Sequence, residues 1–219
     1  MNMRKFLLSF AVLLITTTSF AQNTVHANNA STRKTGSFHG VAASAGVEVI
    51  LTKDNNETVV VTADNSDIVN HVKTEVVNGI LKIYRESDWH FWNSYHGSIK
   101  VYVGYQHLDV LRASSGASIT SDVLKLNKLN AEVSSGGEIV LSGTSEDLKV
   151  EGSSGGSFKG YDFVTNTCNA EVSSGADIKL TIQKELFAKA SSGGEIKFKG
   201  AAVIKDIQVS SGGEVKRAK

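Results

Sequence analysis

The sequence predicts an all-β chain wound as a single-stranded, right-handed parallel β-helix, or solenoid, with an N-terminal β-hairpin insertion. Three observations carry that expectation. Ser-Ser-Gly recurs at Ser114, Ser134, Ser153, Ser173, Ser191 and Ser210, at intervals of 20, 19, 20, 18 and 19 residues. Around each copy, apolar and polar residues alternate with the period of two that marks a strand with one buried face. Proline is absent from all 219 residues, which suits interior strands that need every N–H for a ladder.

The repeat separates into columns when the copies are stacked on Ser-Ser-Gly. Ile119, Ile139, Phe158, Ile178, Ile196 and Val215 fall three places after the glycine. On either side stand polar columns, Ser118, Glu138, Ser157, Asp177, Glu195 and Glu214 before, and Thr120, Val140, Lys159, Lys179, Lys197 and Lys216 after, with Val140 the one apolar member. A unit of this length cannot bury its own apolar face and must stack on its neighbours. Like residues then lie over one another about 4.8 Å apart. Handedness follows from the rule for parallel crossovers. Gly116, Gly136, Gly155, Gly175, Gly193 and Gly212 recur where the chain turns a corner, which predicts positive φ. Cys168 shares a column with Leu129, Leu148 and Leu186 and reads as a small buried hydrophobe.

In chain order, residues 1–21 predict a secretory signal peptide. Arg4 and Lys5 precede the apolar run "FLLSFAVLLI", and small residues lead to cleavage after Ala21. Residues 22–36, "QNTVHANNASTRKTG", read as a polar, disordered leader. The β-helix domain occupies residues 37–219. Its first repeat is "VAASAGVEVIL" at 41–51, and the next recognisable copy comes 70 residues later. The interval holds "VKTEVVNGILKIYRE" at 72–86, whose Asn78-Gly79 signals a type I′ hairpin. The aromatic loop "SDWHFWNSYHG" (87–97) and the strand "SIKVYV" (98–103) complete this hairpin-and-loop region, 72–103, and regular repeats fill 108–217.

Several function classes are disfavoured by composition. Without its leader peptide the chain carries 21 basic and 22 acidic residues, no footprint for nucleic acid. One cysteine excludes a disulfide framework. No stretch after residue 21 is long and apolar enough for a membrane helix.

The pattern resembles the putative auto-transporter adhesin, head GIN domain proteins, exported β-helical proteins of Bacteroidetes. The likeness rests on "GSFHGVAASAGVEVILTK", "TEVVNGILKIY", "IKVYV…LDVLRASSGASI" and the later "SSGG" copies, and covers residues 36–219. It implies a β-helix in the bacterial cell envelope, periplasmic, surface-associated or secreted. It brings no catalytic residues.

Chemistry-bearing candidates are few. Asp177, Glu195 and Glu214 on successive rungs could share a cation, but Lys179, Lys197 and Lys216 beside them favour an ion-pair ladder. No metal or cofactor is therefore expected. Acidic residues come one per rung rather than as a clustered acid/base pair, and all six histidines lie at or before His107, far from the repeated serines. That disfavours catalysis, the rival reading being a carbohydrate-active lyase or hydrolase. The strongest binding candidate is the aromatic loop, with Trp89, His90, Phe91, Trp92, Tyr95 and His96 within ten residues. Exposed aromatics hold sugar rings or protein surfaces, and the same loop could instead plug the end of the solenoid. The function expected is non-catalytic binding to glycan, polysaccharide or an envelope protein, with a purely structural envelope role as the remaining alternative. After the last repeat only Lys216-Arg217-Ala218-Lys219 remains, so the final rung either guards its own edge with charge or docks a second copy.

Overall fold

The computed structural model describes residues 29–86 and 97–218. Strands β1 (Ala30–Arg33), β2 (Gly40–Ala43), β3 (Glu48–Lys53) and β4 (Val59–Ala63) precede one short helix, α1 (Ser66–His71). Then come β5 (Val72–Val77), β6 (Ile80–Arg85), β7 (Ile99–Tyr105) and β8 (Val110–Ala113). Four long strands carry the repeats: β9 (Ser118–Val133), β10 (Glu138–Gly152), β11 (Ser157–Val172) and β12 (Asp177–Ala190). The last rung is built from β13 (Glu195–Lys199), β14 (Val203–Val209) and β15 (Glu214–Arg217).

The strands stack in parallel as the column pattern requires. Val101, Val49, Ile119, Ile139, Phe158, Ile178, Ile196 and Val215 are successive register partners in one internal file. All but Val215 have no exposed surface. A second file runs Leu129, Leu148, Cys168, Leu186 and Ile204. Cys168 is fully buried there, and burial pushes its thiol pKa far up, so it packs as a hydrophobe.

Each Ser-Ser-Gly corner is a type I′ turn. The second serine of every Ser-Ser-Gly has φ of 48–51° and the glycine 71–75°. The residue after the glycine donates its N–H to the first serine's carbonyl, as in Ala117 to Ser114 at 3.0 Å and Gly137 to Ser134 at 2.8 Å. The glycine's own N–H reaches the second serine of the following coil, for example Gly136 N to Ser154 O at 3.2 Å. Turn and stacking are thus made by the same peptide units. Unequal repeat lengths are absorbed at the opposite corner, where the register shifts between Val140 and Ser142 and again between Gly160 and Val164.

The N-terminal insertion forms a rung of its own. Asn78 (φ 52°) and Gly79 (φ 74°) close the hairpin of β5 and β6 with the predicted turn. β6 pairs in parallel with β2, and β7 with β3, so this later stretch of chain lies beneath the first repeat. Antiparallel β5 and β4 then flank it on the outside. The leader departs from the expectation of disorder over 22–36, because Ala30–Arg33 forms β1 along the free edge of β4. That edge offers ladder partners a polar strand can satisfy, and Arg33 Nη2 donates to Val69 O at 2.7 Å at the end of α1. Residues 1–28, the expected signal peptide included, lie outside the described residues.

The outward polar columns are ion-pair ladders. Lys179 meets Asp177 at 2.8 Å, Lys197 meets Glu195, and Lys216 bridges Glu195 at 2.6 Å and Glu214 at 3.1 Å. On a neighbouring face Glu132, Glu151 and Glu171 stack directly, partnered by Arg112, Lys149 and Lys189 at 3.2, 2.5 and 2.8 Å. These pairs are between a quarter and slightly more than a half exposed, each contributing some tenths of a kcal/mol (~0.2–1).

Two predictions follow from corner and ladder. Gly143 has φ 118°, and a Cβ there would sit 2.0 Å from the Leu124 carbonyl oxygen, whereas Gly155 has open space around it. Gly143→Ala should cost roughly 3 kcal/mol or more and Gly155→Ala about 1, read from denaturant midpoints; equal losses would refute the packing account. Hydrogen bonds from Lys197 and Lys216 hold the Glu195 carboxyl below its ordinary pKa. A carboxyl depressed in the folded state stabilises above its unfolded pKa and loses that contribution as pH falls towards its folded value. Glu195→Gln should therefore be less stable than wild type at neutral pH, and the difference should shrink as pH falls and the carboxyl protonates.

Candidate functional site

The solenoid is interrupted at one corner, and the interruption leaves a cleft. β3 supports β9 only from Glu48↔Ser118 to Leu51↔Ser121. Beyond Lys53 the chain leaves for β4, and β8 rejoins β9 only at Val110↔Asn130. Over residues 122–129, β9 therefore has β10 as its sole ladder partner among the described residues. Val123 in this stretch is 69% exposed.

A cavity of about 380 Å³ lies along this open edge. One wall is the turn Tyr105–Asp109 with His39 and Lys53, and the other is the middle of β9, Lys125 to Lys128. Backbone bonds hold the first wall. His39 N donates to Gly79 O at 2.8 Å, Asp109 N to His39 O at 2.9 Å, and Asp54 N to Tyr105 O at 3.0 Å. Gln106 Nε2 also donates to Asn55 O. The His39 ring packs over Gly79, where a Cβ would come within 2.6 Å of it. Its Nδ1 lies 2.6 Å from Asp109 Oδ1.

The cleft's charge differs from that of the ladders. Lys53, Lys125 and Lys128 are exposed and have no carboxylate at ion-pairing distance among the described residues. Of the carboxylates near the cleft, Asp109 is engaged with His39 and Asp122 with the Thr52 hydroxyl at 3.4 Å, while Asp147 on β10 is the register partner of Lys128 but lies beyond ion-pairing distance of it. Tyr105 forms an apolar floor at 3% exposure; burial first, and then the Asp122 charge, raise its phenol pKa, so it stays neutral. Three unpaired ammonium groups over a buried ring suit an anionic ligand with an apolar face.

The carboxylate column is lined by lysines. Asp177, Glu195 and Glu214 do stack, yet each carries its lysine, and no group of three histidine, cysteine or acidic side chains stands close enough for a metal among the described residues. Trp89, His90, Phe91, Trp92, Tyr95 and His96 lie outside the described residues. The ends of their segment are anchored, by Glu86 N donating to His71 O at 3.0 Å and Ser98 N to Asp64 Oδ2 at 3.2 Å. No spacing rule pointed to the cleft, because Lys53 and Lys125 come from copies 70 residues apart. The available signal was the gap in the repeat itself, which implies an incomplete coil.

Comparison with known proteins agrees with this architecture. A putative adhesin from Bacteroides fragilis has the same fold at a TM-score of 0.68 and 15% identity, over 86% of this chain and 96% of that one. A putative adhesin from Parabacteroides merdae matches at 0.52 and 14% identity, over 88% and 97%. No functionally curated protein is significantly similar in sequence. Residues 37–202 match the family described as "Putative auto-transporter adhesin, head GIN domain", and the chain belongs to that family.

Proposed function

We propose that this is an exported, non-catalytic protein of the bacterial cell envelope that adheres to an acidic glycan through the cleft between His39, Lys53 and Lys125–Lys128. The observation that carries this reading is the contrast in charge pairing. Along both ladders the lysines have carboxylate partners, while the three in the cleft have none, beside a groove with a buried aromatic floor. A polysaccharide bearing carboxylate, sulfate or phosphate groups supplies the missing charge. The family's description as adhesins supports the non-catalytic reading and the envelope or surface location. The aromatic segment with Trp89 and Trp92 is a second proposed contact, stacking on sugar rings.

The test is a binding screen of residues 22–219 against neutral and acidic polysaccharides and envelope proteins. Acidic glycans should bind, more weakly as salt rises. Replacing Lys53, Lys125 and Lys128 together by Ala should weaken binding about tenfold and flatten its salt dependence. Trp89→Ala with Trp92→Ala should weaken it without changing the salt slope. Failure of the wild type to bind any glycan, or equal binding of neutral and acidic ones, would remove the proposal. Turnover of a polysaccharide abolished by changing Asp177 or Glu195 would make the protein an enzyme instead.

A further inference from the structure

The two ends of the solenoid are finished differently. At the N-terminal end, the rung of β6 and β7 keeps its interior covered: Leu81, Ile83 and Val101 have no exposed surface and Val103 has 1%. At the other end, the last described rung leaves its interior open among the described residues. Ile204, Ile207 and Val209 on β14 are 47%, 38% and 50% exposed, although each continues a file that is buried in the coil before. β14 pairs only with β12 and β15 only with β13 among the described residues, so both present a free ladder edge.

We propose that this end face docks a second copy of the same chain, tail to tail, with β15 pairing antiparallel to the partner's β15 about a two-fold axis at Val215. The backbone selects this register. Glu214 N and Ala218 N donate towards β13, at 2.9 Å to Gly194 O and 2.8 Å to Phe198 O. Alternation along the strand then turns the N–H and C=O of Val215 to the free edge, where two such residues form a hydrogen-bonded pair across a two-fold. The charges select the same register. Centring the axis on Glu214, Lys216 or Arg217 would oppose like charges directly. Centring it on Val215 places Glu214 opposite Lys216 of the other copy, twice, with both valines on the core side.

Charges that guard an edge against strand addition are engaged here. Lys216 bridges Glu195 and Glu214. Arg217 folds back, donating to Gly200 O and Ala202 O with its guanidinium 4.7 Å from the Phe198 ring centroid. The covered N-terminal rung offers no matching open interior, so the assembly closes as a dimer and does not propagate as a fibre.

Sedimentation of residues 22–219 over a range of concentrations tests this. The wild type should form dimers. Glu214→Lys and Lys216→Glu each place like charges opposite one another at both symmetric positions, and each alone should weaken dimerisation about tenfold or more. Mixed together, they should recover a heterodimer, since one variant presents two lysines and the other two glutamates. A change that merely unfolded the end coil would not be rescued by mixing. A monomeric wild type overturns the proposal, as does a dimer indifferent to both substitutions or a mixture that stays monomeric.

Discussion

The whole stack depends on two consecutive residues holding left-handed backbone at the same corner of every coil. A serine at φ near 50° costs about 1–2 kcal/mol relative to a right-handed conformation. The turn is nevertheless retained because, in every copy but the last, its peptides make two kinds of bond at once. One closes the turn onto the first serine, and the other joins the glycine N–H to the next coil. The strain is local and the gain is cooperative, since each corner fixes the register of the coil that follows. A single misplaced corner would shift the isoleucine file by a residue and turn apolar side chains to solvent.

Glycine serves the corner in two physically distinct ways. The first glycine of "SSGG" has nothing within 4 Å of a Cβ and is there for its backbone alone. The second is crowded: at Gly137 a Cβ would meet the Ala113 carbonyl oxygen at 2.2 Å. In two copies Ala117 and Ala176 stand at this position instead. Among the described residues the buried polar side chains are Thr62, which donates to Lys100 O at 3.2 Å, and a linked pair in which Ser145 Oγ donates to Thr165 Oγ1 at 2.9 Å and Thr165 passes its hydroxyl hydrogen on to a main-chain carbonyl. Two buried hydroxyls satisfied in this way are tolerated within an apolar file.

Legibility in the sequence follows the periodicity. The isoleucine file, the hairpin at Asn78-Gly79 and the burial of Cys168 could be read because each depends on neighbours at fixed spacing. The left-handed second serine could not, since serine is not a residue that announces positive φ, and only the stacked hydrogen bonds explain it. The ordering of Ala30–Arg33 was hidden for a similar reason: its polar residues carry no apolar pattern, and the strand exists because β4 offers an edge. The cleft was harder still. Lys53 and Lys125–Lys128 meet only because one coil is interrupted, a fact of topology that leaves no local motif.

That difference also bears on where recognition can reside. Register ties each ladder residue to like residues above and below, so its charge is met by a partner supplied by the same repeat. A repeated surface of this kind is self-neutralising, and it presents any ligand with the same weak contact at every rung. Irregular positions are not bound by that symmetry. Where β3 leaves the stack, and at the last described rung, side chains and strand edges lack, among the described residues, the partners that the repeat provides elsewhere. Specific contacts in a solenoid therefore concentrate at its interruptions, and the regular coils serve to hold those interruptions at fixed separation.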